Sequence, residues 1–291
     1  VSYKSSLTRT LGVLNHICQG RLTLTSGTPV TTSDVTGATS IYWTPYNGNL
    51  VSLYDGTRWR MYAFTEMTLA LGTLTSGLPY DVFLYDNAGT LTLEATAWTN
   101  GTTRATALTT QDGVYVKTGA TTRRYLGTFY TTSTTETEDS FAKRFLWNCY
   151  NQKKRKLRKF ETNTSWSYGT AAWRSANNST TNRVEVIIGL SETPISLTLN
   201  HMGPNGTSTL DNSIGLDSTS TPHADVGGAY GGYIGTGTPI LIGTLCLQVY
   251  PGVGYHYLQW LEFSSSAGQT SYGYDSTNKR WQCGLTGDIV C

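Results

Sequence analysis

Nineteen acids and four histidines (His16, His201, His223 and His256) are the side chains of this 291-residue chain with the widest chemical reach. Glycoside hydrolysis needs two carboxylates about 5 to 10 Å apart in one cleft. Many of the acids sit where turns are expected, at Asp55, Asp81, Asp86, Asp112, Asp211 and Asp217, and no spacing nominates a pair. The histidines are scattered, with no H-x-x-x-H or H-x-H spacing, so the sequence assigns no metal site. His256 alternates with Leu258, Trp260 and Glu262 along one strand face, where a His–Glu pair reads as a structural hydrogen bond rather than a catalytic dyad. There is no G-x-S-x-G elbow, no Walker A loop and no dinucleotide fingerprint. The Gly-rich stretch 227–232 lacks the strand-to-helix setting of a phosphate cradle. The expectation is a chain that is not an enzyme, with no catalytic residue and no cofactor.

Binding is the more natural use of these side chains. Nineteen Tyr and eight Trp supply amphipathic rings that stack on sugars or fill interfaces. The Tyr residues in turn-rich stretches, Tyr230, Tyr233, Tyr272 and Tyr274, are the candidates for a solvent-facing surface. Five cysteines, Cys18, Cys149, Cys246, Cys283 and Cys291, are odd in number and lack CxxC spacing, which argues against a zinc site. They read as buried free thiols or as one or two bridges, with Cys283 and Cys291 the candidate disulfide. N-x-[ST] sequons at Asn100, Asn163, Asn177, Asn178 and Asn205 are expected by chance in a chain this rich in Asn, Ser and Thr.

These residues must be held by strands. Apolar residues are 38% and charged residues 14%, and the remainder is dominated by Thr, Ser, Gly and Asn. Thr and Tyr suit half-buried strands, while Gly and Asn make turns. Leu50 to Tyr54, Asp55-Gly56, then Arg58 to Phe64 reads as a hairpin, as does Tyr80 to Tyr85 with Thr90 to Ala97. In the latter, Leu91, Leu93, Ala95 and Ala97 share one face. Ile240 to Tyr250 and Tyr255 to Phe263 read as the strongest hairpin of the second half, and Gln269 to Tyr274 with Lys279 to Gly284 as the last. Glu138 to Tyr150 is the one helix candidate, with a strand as its competitor. The basic run 153–159 reads as a solvated loop or surface strand rather than a phosphate-binding patch. Net charge of +2 gives no reason to expect nucleic acid or membrane as a partner, and no apolar run is long enough for a membrane helix. The fold class expected is all-β: a short N-terminal arm (1–20), a first β module (21–150) and a second β-sandwich, jelly-roll-like module (151–291).

The run RLTLTSGTPVTTSDVTGATSIYWTPYNGNLVSLYDGTRW, continued by FTEMTLALGTLTSGLPYDVFLYDNAGTLTLEATAW and on to FLWN, resembles a module of tailed-bacteriophage and prophage virion proteins. SWSYGTAAWRSANNSTTNRVEVI, GYHYLQWLEF and GLTGDIV resemble its usual companion. The resemblance implies a fibre, spike or decoration protein on the virion surface, made in the cytoplasm of a bacterial host. It implies a homotrimer. The expectation that goes with it is docking to capsid, neck or tail proteins through the N-terminal arm, and the Tyr and Trp content adds host cell-surface glycan as the outward contact. A dedicated adhesin and a glycan depolymerase are the alternatives. The basic run 153–159 and the cysteine count depart from the family pattern.

Overall fold

The computed structural model describes residues 15–203, 210–230, 240–264, 269–279 and 281–291. Among them the chain is all-β, with a single 3-10 turn at Ala176–Asn178. Of the arm expected at 1–20, residues 1–14 lie outside the described residues, and Gly20 already opens a strand.

Three layers follow one another. Gly20–Thr23, Ser40–Pro45 and Met67–Ala70 form a small antiparallel sheet, and the hairpin Leu50–Tyr54/Trp59–Ala63 joins its core. Next comes a sheet in the order Thr90–Ala97, Pro79–Asn87, Ala120–Tyr130, Val114–Lys117, Leu108–Gln111, with Leu146–Asn148 paired to the far half of Ala120–Tyr130. The third layer is a sandwich. One of its sheets runs Arg174–Ser175, Gly254–Ser264, Arg183–Ile188, Lys143–Arg144, Thr137–Asp139, Val35–Ala38, and Leu210–Leu216 also pairs with Gly254–Ser264. Opposite lie Lys154–Phe160, Gly284–Val290, Ile195–Gly203, Ile240–Val249 and Gly227–Tyr230. Leu197, Leu199, Leu247, Leu258, Trp260 and Leu285 fill the space between.

The middle sheet is buried on both faces. Val82, Leu84, Leu126 and Leu146 face the core of the first layers, while Phe83, Tyr125 and Trp147 face the sandwich core. The strand Pro79–Asn87 is accordingly buried without interruption from Pro79 to Leu84, as a doubly covered strand must be, with Asp81 its one polar side chain there. Gly189 lets the layers close. A Cβ there would lie 2.3 Å from both the Trp147 ring and the Tyr125 hydroxyl.

Three sequence expectations are corrected. Glu138 to Tyr150 is not a helix but three short strands, because Tyr130 and Cys149 draw its backbone into pairing (Tyr130 N to Phe145 O, 3.0 Å; Cys149 N to Leu126 O, 2.9 Å). Ile240–Val249 and Gly254–Ser264 are not a hairpin. They lie in opposite sheets, because each has an apolar face and the two faces meet across the core instead of edge to edge. The sheet that runs from Ser175 to Val35 crosses the boundary placed near residue 150, so the two halves share a sheet as well as a core. The basic run forms the surface strand Lys154–Phe160, with Lys154 and Lys156 exposed and Arg155 and Leu157 buried.

Arg155 meets a buried acid. Asp139 accepts from Arg144 (Nη1, 3.0 Å) and from Arg155 (Nη2, 2.8 Å), all three being buried. Arg144 reaches on to the Lys156 carbonyl and Arg155 to the Thr31 carbonyl and hydroxyl. Removing one partner of such a pair typically costs about 3–5 kcal/mol, whereas an exposed pair is worth about 0–1. Asp139→Asn is therefore expected to cost a few kcal/mol in urea unfolding, and Lys154→Ala, which cuts the exposed Lys154–Asp288 pair, less than about 1 kcal/mol. Equal midpoints for the two variants would refute this ranking.

His201 is sealed in the sandwich, its Nδ1 accepting from Asn212 Nδ2 at 2.8 Å and its Nε2 buried with no hydrogen-bond partner among the described residues. Burial pushes its imidazolium down to about 3, from 6.5 in the open chain. The neutral ring thus contributes stability that is complete above about pH 6.5 and is lost as pH falls toward 3, at about 1.4 kcal/mol per unit. From pH 7 to pH 5, unfolding free energy should fall by about 2 kcal/mol, and His201→Gln should flatten that slope. Parallel slopes for the two proteins would sink the assignment.

Candidate functional site

A broad concavity lies on the outer face of the Leu50–Tyr54/Trp59–Ala63 hairpin. Its volume is about 1050 Å³, and Asp55, Arg58, Trp59, Arg60, Met61, Tyr62 and Asp86 line it. The turn is built by Asp55 and Gly56. Asp55 Oδ1 accepts the N–H of Thr57 and of Arg58, both at 2.9 Å, and Gly56 takes φ +98°, which disfavours a side chain. The loop is four residues long, rather than the two of a tight primed turn.

The hairpin is pinned to the turns of the middle sheet. Trp59 Nε1 donates to Asp112 Oδ2 (2.8 Å) and the Tyr62 hydroxyl to Asp86 Oδ2 (3.0 Å). Beneath it the buried Arg124 guanidinium donates to the Ser52 and Asn15 carbonyls at 2.7 and 2.8 Å. What remains facing water is unusual for so polar a chain: Met61 is 38% exposed, beside Arg60 at 49% and Arg58 at 68%.

Asp55 pairs with Arg60. The Arg58 N–H, then Arg60, then the Thr57 N–H hold its carboxyl down at about 2. The Trp59 indole, followed by Gln111, likewise lowers Asp112. These two carboxylates are acceptors at neutral pH, not proton donors. The arrangement offers a ring edge, an apolar thioether, two guanidiniums and fixed acceptors, which suits the hydroxyls and apolar faces of a saccharide.

The structure also pairs two acids that sequence spacing did not nominate. Asn177 donates through Nδ2 to Glu161 (3.1 Å) and through its backbone N–H to Glu262 (3.1 Å). Burial would raise Glu161, but N–H groups of Asn163, Asn182, Asn177 and Thr162 bring it below its ordinary value. Burial raises Glu262 despite Trp166 and Arg174. Split titration of this kind can mark an acid and a base. Here Glu161 accepts four hydrogen bonds and Glu262 three, from Trp166 Nε1 (2.6 Å), Arg174 Nε (2.8 Å) and Asn177, and both residues are buried. The pair ties the Ala176–Asn178 turn to two strands.

The residues singled out in sequence do not converge on one site. Tyr272 is half-buried in Gln269–Tyr272, opposite Ser165 and Met202, and Tyr274 is half-buried opposite Gln282. Tyr230 ends the strand Gly227–Tyr230, and Tyr233 lies outside the described residues. His256 pairs with Asp217 (Nδ1 to Oδ2, 2.7 Å) and not with Glu262, which is turned to Trp166 and Arg174. The Cys283–Cys291 bridge does not form. The extended strand Gly284–Val290 separates the two, placing them roughly 26 Å apart against the 7 Å limit of a disulfide, and both are buried free thiols. The hairpin cleft was missed as a site although its signal was present, an Asp-Gly turn followed by Arg-Trp-Arg-Met.

No family model matches the chain, and no curated protein does. Among solved structures, wild-type BuGH86 in complex with neoagarooctaose aligns over 89% of this chain and 33% of that one, at 10% identity and a TM-score of 0.25. A substituted form of the same protein with the same sugar aligns over 89% and 34%, with a TM-score of 0.24. The chain spans about a third of the length of these structures, and a similarity this low carries no argument about its fold or its activity.

Proposed function

We propose that the chain is a structural component of a bacteriophage particle surface, a fibre, spike or decoration protein, whose hairpin cleft contacts host-surface carbohydrate. The observation that carries the contact is the cleft itself: exposed Met61 and Arg58 beside Trp59, on a hairpin fixed to a doubly buried sheet. The sequence resemblance supports the virion setting. Self-association as a trimer fits a chain that leaves Tyr250 62% exposed, since a repeated weak contact gains avidity from several copies. Asp55, held ionised at about 2, favours binding over hydrolysis, which needs a protonated acid at working pH.

Purified protein should bind host envelope polysaccharide, and Trp59→Ala should weaken that binding about tenfold or more, as loss of a stacking aromatic does. Met61→Ala, at an exposed position that does not challenge folding, should weaken it less. Undiminished binding by both variants would remove the cleft from the reading. Sedimentation should give three times the chain mass; a monomer at all concentrations would refute the trimer. New reducing ends from incubated polysaccharide would replace the binding reading with a depolymerase.

A further inference from the structure

A second concavity lies at the seam where strands from the two halves meet. Its volume is about 400 Å³, and it is lined by Lys143, Lys159, Thr180, Thr181, Arg183 and Glu185. Lys143 comes from Lys143–Arg144, which pairs in parallel with Arg183–Ile188 and sets Lys143 opposite Glu185. Lys159 comes from Lys154–Phe160 in the facing sheet, and the two threonines from the turn that precedes Arg183.

Three cations thus converge on a space of small-ligand size in a chain with 14% charged residues. Their internal partners do not balance them. Glu138 stands 3.4 Å from Lys143, and Glu185 stands 3.2 Å from Arg183 while also accepting the Tyr255 hydroxyl. Lys159 has no acidic partner among the described residues. Among the described residues Arg183 donates to Glu185 and Tyr255 through Nη2, which leaves Nε and Nη1 for a ligand. The Tyr257 ring, 4.6 Å from its guanidinium carbon, holds that group in place. One surplus positive charge, a planar donor fork and hydroxyls in a walled concavity are the recognition elements for an oxyanion.

We infer that this seam pocket binds the anionic substituent of an acidic saccharide, a carboxylate or a phosphate seated between Lys159 and Arg183, with Thr180 and Thr181 meeting the ring hydroxyls. The inference rests on the carbohydrate-contacting reading for its saccharide part, but not on the Trp59 cleft.

The test is calorimetric titration of the full chain at low salt with glucuronate, glucose 6-phosphate, glucose and inorganic phosphate. Glucuronate and glucose 6-phosphate should bind and glucose should not. Lys159→Ala and Arg183→Gln should each weaken binding about tenfold, raised salt should weaken it further, and Trp59→Ala should leave it unchanged. Thr181→Val, which keeps the charges, should weaken the sugar phosphate more than free phosphate. Binding of inorganic phosphate alone would overturn the saccharide assignment. No binding by either acidic sugar, or equal binding by wild type and Lys159→Ala, would overturn the site. Loss of polysaccharide binding in Trp59→Ala with acidic-sugar binding intact would leave both sites standing. Unaltered polysaccharide binding in Trp59→Ala, with loss in Lys159→Ala, would refute the cleft and keep the seam.

Discussion

Asp139 holds two guanidiniums that come from the two facing sheets of the sandwich, and that contact constrains the register of the sandwich. Arg144 extends from it to the Lys156 carbonyl, and Arg155 projects inward from a strand whose neighbours Lys154 and Lys156 point to water. Side chains alternate along a strand, so a slip of one residue would bury both lysines and expose Arg155 and Leu157. Buried ion pairs are often no better for stability than apolar packing. The service of this one is to make the wrong register far more costly than the right one.

The doubly buried middle sheet carries the same constraint to the surface. Arg124, Asp86 and Asp112 all belong to it or to its turns, and each grips the cleft hairpin. A two-stranded hairpin is marginal by itself. This one presents Arg58, Trp59 and Met61 in fixed positions because its hydrogen bonds end on a sheet that has cores on both sides. Of the residues that line the site, Tyr62 packs on that core and Asp86 belongs to the sheet, so the site depends on packing that lies almost wholly beneath it.

Much of the strand pattern was legible in the chain. The Asp55-Gly56 and Asp86–Gly89 turns, and the alternation through Thr90–Ala97, are local signals, and local hydrogen bonds enforce them. Leu24-Thr25-Ser26-Gly27 recurs as Leu74-Thr75-Ser76-Gly77, and both glycines take φ +69°. Pairing partners were not legible. Alternation in Ile240–Val249 and Gly254–Ser264 is the same whether the strands pair or face each other across a core, and only the rest of the sandwich decides. The Glu161–Glu262 pair and the seam pocket unite residues from separate strands, which no spacing in sequence encodes. Tyr272 and Tyr274 were chosen for their turn-rich surroundings, yet cross-strand pairing half-buries both.

Arg21 closes the molecule. Its guanidinium donates to the Pro29, Asn151 and Cys291 carbonyls, the last across 270 positions. Ribosomes add about 5–20 residues per second, so this buried cation waits on the order of ten seconds or more for its final acceptor. During that interval the strand Gly20–Thr23 cannot be sealed, and contacts of such span also fold slowly once available. A nascent chain interrupted before Gly284–Val290 would leave Arg21 short of one acceptor and Lys154–Phe160 without the strand it pairs with, an exposed edge of the kind that invites misassembly.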